Sequence, residues 1–375
     1  MTNRNHKNFK GALISLLIAV LISIPVPTSA SENTETPPMD MYYLEELMKV
    51  IQTNYVYDIT EEELIEGAVK GLFYSIDPNS SYYTKEEFQQ LMESTAGDFV
   101  GIGIYITEVD GNIEVDPIED SPAYDEGLKS GDIILEVDEK DVEGLSIEEV
   151  SDLIKGEEGT KVKLKIQRGS KNLIYNITRK LVQVNPIDYS VLDNGIGYIG
   201  ISEFNQHTYE NLEKVLDEFD DKDVKDIIMD LRNNPGGLLM EAVRSLKLFI
   251  PEGPIVHIRY KDDIEQTYYS TLKRPKYNLV VLMNEYSASA SEIFAGAVQD
   301  TSSGTIIGVP SYGKGTVQIM MPLPYGDGMK LTIAEYLTPK RRNINDKGII
   351  PDIKVINNSR TKDIQLQKAV DLLTK

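Results

Sequence analysis

The spacing of apolar positions divides the chain into three textures. Near the start, Leu44, Leu47, Met48, Ile51 and Tyr55 fall on one face at helical spacing. Thr60 with Glu63, and Thr84 with Glu87, have the spacing at which a hydroxyl and a carboxylate cap each other's backbone, and they predict two further helices. From about residue 95 to 180 the pattern turns to short β-rich stretches at Gly101–Thr107, Ile113–Pro117, Ile133–Val137 and Lys161–Gln167, with Gly-Asp turns and one amphipathic helix over Ile147–Lys155. After about 186, strands alternate with helices. Ile196–Ile201, Asp226–Leu231, Leu279–Met283 and Gly304–Gly308 read as strands, with helices after 208, 237 and 288, which predicts an α/β core. A last helix is expected over Asp363–Leu373.

Ahead of these textures, Arg4, Lys7 and Lys10 precede the apolar run Ala12–Ile24, and Thr28, Ser29 and Ala30 offer small residues for cleavage. Residues 1–30 are expected to be a signal peptide, and the protein to be exported, either secreted or associated with the cell envelope. The run is short beside the roughly 20 residues a membrane span needs. Retention of the segment as an anchor, and with it the membrane as a partner, is the alternative. Residues 31–38 read as a polar tether.

The formal charge of −22 repels phosphate backbones and argues against nucleic acid as a partner. With no cysteine, disulfides and thiol catalysis are excluded. His6, His207 and His257 lie far apart and give no histidine-built metal site. No cofactor is called for.

The chemistry concentrates in two small-residue runs. Ser289 lies in Asn284–Glu292, directly after the apolar strand Asn278–Met283 and at the start of a helix. Lys314 lies in Tyr312–Gln318 between two glycines. A serine hydroxyl needs a base to take its proton. Neither histidine beyond the leader has the surroundings of one, whereas a lysine serves if burial disfavours its charged form. The pair points to a serine–lysine hydrolase. Its oxyanion hole would use the Ala290 N–H at the helix start and a second donor from Asp230–Gly237, where Gly236 or Gly237 lets the backbone approach a ligand.

Two decoys are set aside. Gly308–Lys314 resembles a phosphate-binding loop, but Gly315 replaces the required Ser or Thr, and the residues beyond read as β rather than helix. Ser270–Lys273 matches the Ser-x-x-Lys spacing of penicillin-recognising enzymes without their other motifs.

Gly195–Phe204, Asp230–Gly237, Asn284–Glu292 and Tyr312–Gln318 together resemble the carboxy-terminal processing peptidases, a serine–lysine family related to the tail-specific proteases. The resemblance spans nearly all of residues 40–355. It implies Ser289 as nucleophile, Lys314 as base, Gln318 holding the lysine by a hydrogen bond, and Gly236 or Gly237 with Ala290 as the oxyanion hole. It also implies a PDZ-like domain over 95–180. There Phe99, Val100, Gly101, Ile102 and Gly103 would capture a peptide C-terminal carboxylate, and Ile102, Ile104, Val150 and Leu153 would line an apolar pocket.

The implied architecture is α/β and multidomain. Residues 31–94 form a linker and an N-terminal helical region that could dimerise, and 181–355 form a ClpP/crotonase-like protease core, followed by a C-terminal helix within 356–375. The implied activity is that of a serine endopeptidase acting near the C-termini of protein substrates with apolar ends, and the position of the PDZ-like domain before the core leads to the expectation that it gates the site. The competing reading is a silent PDZ-type scaffold. The sequence departs from the family pattern at Tyr286, at Asn79, where histidine is common, and at Lys340-Arg341-Arg342.

Overall fold

The computed structural model describes residues 39–359 and 361–374, so the expected signal peptide and tether lie outside the described residues. The chain divides into two compact units between Ile65 and Glu66. In the first, α1 (Met41–Asn54) starts where the Asp40 carboxylate accepts the Tyr43 N–H at 3.0 Å. No α1 residue is buried, and Leu47, Val50 and Tyr55 are exposed. α2 (Glu61–Tyr74) opens on the expected box, with Thr60 N–H donating to Glu63 at 2.7 Å and Glu63 N–H to the Thr60 hydroxyl at 3.1 Å.

The second unit contains the chemistry-bearing domains. Its first part departs from an all-helical expectation. β1 (Ser81–Tyr83) precedes α3 (Lys85–Ala96) and joins a sheet of the core, pairing antiparallel with a strand near residue 330.

The PDZ-like domain follows. β2 (Asp98–Gly101) pairs with β9 (Lys180–Gln183) in a two-stranded ribbon at the domain's root. Between them run β3 (Ile104–Val109), β4 (Asn112–Pro117), the short α4 (Pro122–Asp125), β5 (Asp132–Val137), β6 (Lys140–Asp141), α5 (Ile147–Ile154), β7 (Lys161–Arg168) and β8 (Lys171–Thr178). The sheet order is β3-β4-β5-β7-β8, with β6 beside β5, so β3 is an edge strand. Apolar residues alternate inward along β7, whose Val162, Leu164 and Ile166 are fully buried. The ribbon is tied to the protease core through Asp98, which accepts Gln206 Nε2 at 2.5 Å and pairs with His207 Nε2 at 2.6 Å.

The core begins with β10 (Ile187–Val191), β11 (Gly197–Ile201), α6 (Thr208–Asp221), β12 (Asp226–Asp230) and α7 (Leu239–Leu246). Next come β13 (Gly253–Tyr260), β14 (Glu265–Ser270), β15 (Asn278–Met283), α8 (Ala290–Asp300) and β16 (Gly304–Gly308). It ends with β17 (Thr316–Pro322), β18 (Gly328–Leu337), β19 (Ile353–Lys354) and α9 (Ile364–Leu373). One sheet has the order β10-β11-β12-β15-β16-β19, parallel from β11 to β19. Central β15 is buried at every position after Asn278, which its unbroken apolar sequence foreshadows. α6, α7 and α8 cover one face, and α9 packs on the other through Leu366, Ala369 and Val370. A second sheet, β1-β18-β13-β14 with β17 beside β18, closes the core.

Candidate active site

The polypeptide leaves the carboxyl end of β15 in a tight turn and enters α8 at Ser289. Asn284 N–H donates to Ser287 Oγ at 2.9 Å, and Ser287 Oγ donates onward to Leu231 O at 2.8 Å, which ties the turn to the neighbouring strand. Ser289 has φ 53° and ψ −114°, a left-handed conformation that a β-carbon disfavours. Such strain persists only where surrounding bonds fix it.

Those bonds come from Glu292, which is fully buried. Its Oε2 accepts the N–H groups of Ser289 and Lys314, each at 2.9 Å. Its Oε1 accepts the Gly313 N–H at 2.7 Å and the Ser311 hydroxyl at 2.5 Å. One carboxylate therefore joins the helix start of Ser289 to the loop of Lys314. Burial pushes its pKa up, and the four donors oppose that rise. The two loops meet again where Tyr312 N–H donates to Ser287 O at 3.0 Å. The resemblance of Gly308–Lys314 to a phosphate loop has its explanation here, because the N–H groups at 313 and 314 face an internal carboxylate.

Lys314 is half-buried. Burial lowers its pKa, Lys330 lowers it further, and Glu292 and Asp77 pull the other way. Its ammonium group is stabilised by no hydrogen bond among the described residues, and Ser289 Oγ is hydrogen-bonded to no other side chain among them. The two side chains are not hydrogen-bonded to each other in this structure.

The stretch Asp230–Gly237 lies against Ser289. Buried Asn234 organises it, donating to Ile201 O at 2.9 Å while its backbone oxygen receives Ala288 N–H at 3.1 Å and Ser291 Oγ at 3.0 Å. A β-carbon on Gly236 would fall 2.8 Å from Ser289 Cβ and 2.9 Å from Ala290 N, so only glycine permits this approach. The Gly236 N–H, however, donates to Asn234 Oδ1 at 2.8 Å. Among the described residues, Gly237 N–H and Ala290 N–H donate no hydrogen bond. Of the two glycines expected to supply a donor, Gly236 has its N–H occupied and Gly237 does not.

Gln318 is placed differently from expectation. Its Nε2 donates to Thr316 Oγ1 at 2.9 Å and Thr332 Oγ1 at 3.1 Å, and it makes no hydrogen bond to Lys314. A bulge in the β17–β18 ladder between Val317 and Gln318 redirects this side chain.

In the PDZ-like domain, Phe99–Gly103 borders a cavity of about 420 Å³ together with Ile104 and Ile106 of edge strand β3, Ser151 and Ile154 of α5, and Lys155 just past its end. Ile102 and Gly103 N–H groups donate no hydrogen bond among the described residues. The expected helix contribution is corrected. Val150 is fully buried and Leu153 partly so, and neither borders the cavity, which α5 reaches through Ser151 and Ile154.

The remaining sequence features have structural roles. Ser270 Oγ donates to Ile250 O at 2.8 Å in the core. Arg341 pairs with Glu265 and Arg342 with Asp300, each at 2.6 Å. The Tyr286 ring is 62% exposed. The local pattern does not mark Glu292, Asn234 or Asp77 as site residues. Of the three, only Glu292 carries a signal, as an acid three residues after Ser289 at helix-capping distance.

The profile described as Peptidase family S41 matches residues 195–355, a PDZ domain profile matches 115–168, and that of the activating protease CtpB N-terminal domain matches 23–87. The carboxy-terminal processing protease CtpA of Bacillus subtilis (strain 168) is 34% identical over 360 residues, covering 94% of this chain and 77% of its own. The carboxy-terminal-processing protease of Bartonella bacilliformis is 36% identical over 323 residues, covering 83% of this chain and 74% of its own. Among solved structures, the photosystem II D1 C-terminal processing protease superposes with a TM-score of 0.50 at 28% identity, over 83% of this chain and 86% of its own. These relatives are proteases, which sets the silent-scaffold alternative aside. Coverage of both the catalytic core and the PDZ domain, at this identity, places the chain in peptidase family S41, among its carboxy-terminal processing proteases.

Proposed function

We propose that the chain is a serine–lysine endopeptidase with Ser289 as nucleophile and Lys314 as general base. The observation that carries this reading is Glu292, one buried carboxylate holding the backbone of both residues. Neutral Lys314 takes the Ser289 proton as Oγ attacks the scissile carbonyl. Gly237 and Ala290 N–H groups receive the developing oxyanion, each such donor contributing about 3 kcal/mol. The lysine then returns its proton to the leaving amine, and water releases the acyl-enzyme. Because the two side chains are not hydrogen-bonded in this structure, acylation requires Lys314 Nζ to move onto Ser289 Oγ.

The PDZ-like groove supports capture of a substrate C-terminus. Free N–H groups at Ile102 and Gly103 suit a carboxylate, and edge strand β3 can accept the peptide as an added strand. Joined to the core at Asp98, this domain recruits substrates with apolar ends and gates the site. The N-terminal pattern supports an exported protein, and the exposed apolar residues Leu47 and Val50 of α1 support a homodimer. No described helix is long and apolar enough to cross a membrane.

The test is cleavage of an unstructured protein with an apolar C-terminus by the native chain, Ser289→Ala and Lys314→Ala. Loss in both variants, with unchanged circular dichroism, is expected. Retained cleavage in either would overturn the assignment.

A further inference from the structure

The turn that follows α2 lies against the two strands that run on from the base. Asp77 Oδ1 accepts the N–H groups of Asn79 at 2.7 Å and Ser80 at 2.9 Å, and the hydroxyl of Thr332 at 3.3 Å. Its Oδ2 accepts Ser80 Oγ at 2.8 Å, and Ser80 Oγ itself accepts Thr332 N–H at 3.0 Å. Asn79 Nδ2 reaches Thr316 Oγ1 at 3.5 Å. Thr332 and Thr316 are the two hydroxyls that hold Gln318. Each is therefore held in turn by a residue of the 77–80 turn. Pairing of β1 with β18, Ser81 opposite Lys330, fixes that turn to the core.

We propose that Asp77 is a positioning residue of the protease, acting through Thr332 to hold the Gln318 amide by its Nε2 so that Oε1, which accepts no hydrogen bond among the described residues, receives Lys314 Nζ as the lysine moves onto Ser289. The proposal rests on the serine–lysine reading above and extends its machinery into a segment ahead of the PDZ-like domain.

Charge gives Asp77 a second handle on the same site. Burial pushes its carboxyl up, but hydrogen bonds from Ser80, Asn79 and Thr332 outweigh this and hold it below the ordinary range, so it is ionised. The charged groups facing Lys314 are Lys330 from β18, Glu292 from α8 and Asp77 from the turn. Of these, Lys330 disfavours the charged lysine, and the two carboxylates favour it. Neutralising Asp77 makes Lys314 easier to deprotonate, so the rising limb of the pH–rate profile moves to lower pH.

Asp77→Asn keeps an oxygen for the turn and for Thr332 while removing the charge. Thr332→Val keeps the shape and removes the hydroxyl. Single-turnover acylation by an activated peptide ester is measured against pH for each variant, alone and combined with Gln318→Ala. Each single variant is expected to lower the plateau rate roughly 3- to 30-fold, and neither to lower it further once Gln318 is alanine. Only Asp77→Asn is expected to shift the limb. A plateau loss that multiplies with that of Gln318→Ala, no loss at all, or an unmoved limb in Asp77→Asn overturns the proposal. If Asp77→Asn does not fold, the Thr332→Val and Gln318→Ala cycle decides. Activity surviving Ser289→Ala or Lys314→Ala would instead sink the underlying reading, with Asp77 untouched.

Discussion

Glu292 Oε2 lies 2.9 Å from the backbone nitrogen of Lys314, and through this contact the loop of the proposed base is fastened to the helix of the proposed nucleophile. Glu292→Gln places an amide nitrogen where one of the two accepting oxygens stood, leaving buried donors facing a donor. Leaving them unpaired is expected to destabilise the fold by about 3 kcal/mol. Release of the strained Ser289 backbone is expected to lower turnover roughly 100-fold. Ser289→Ala should abolish turnover and leave stability nearly unchanged. Urea denaturation beside turnover separates the two behaviours, and an unaltered midpoint in Glu292→Gln would refute the clamp.

The lowered pKa of Lys314 sets a sign for stability. The unfolded chain holds this proton up to the ordinary lysine value of 10.5, while the folded chain releases it earlier. Between the two values the unfolded state binds more protons, so stability rises with pH there. Below that window the buried charge is a full penalty. Lys314→Met is therefore expected to melt a few degrees higher near pH 7, with the advantage shrinking as pH approaches 10.5. Melting temperatures of both proteins across this range check it, and a constant difference would contradict it.

Much of this architecture is legible in the residue pattern, because buried strands and amphipathic helices write their periods directly. The unbroken run at Leu279–Met283 marks the central strand, and the small residues after it mark a sharp strand-to-helix turn. Contacts made across sequence distance are not written this way. Glu292 reads as a helix cap, and nothing local reveals that Ser311, Gly313 and Lys314 also converge on it. The three-residue strand β1 is too short to show an alternation, which hid the tie between Asp77 and Thr332. On α5, periodicity identifies an apolar face but not what it covers: Val150 and Ile154 both fill the domain core, and of the two only Ile154 also borders the groove.

Groove chemistry gives a binding prediction. The Ile102 and Gly103 N–H groups suit an anionic terminus, and the Ile104, Ile106 and Ile154 side chains suit an apolar one. A peptide ending in a free apolar residue should bind at least about tenfold more tightly than its C-terminal amide, roughly 1.4 kcal/mol. Fluorescence polarisation with the Ser289→Ala protein measures the ratio. Equal affinities would remove carboxylate capture from the mechanism.

Tyr286 and Tyr312 stand 62% and 68% exposed on the two loops that the Tyr312 N–H to Ser287 O bond draws together. Rings left open to solvent beside the proposed site can contact only what arrives there, so their role should appear with long substrates. Tyr286→Ala is expected to change stability by less than about 0.5 kcal/mol, as for other exposed positions. Acylation by a small ester needs the nucleophile and base alone and should be unaffected. Cleavage of an unstructured protein should show KM raised several-fold at constant kcat, the signature of binding lost equally in ground and transition states. A parallel fall in ester acylation would mean instead that the ring supports Ser289 itself.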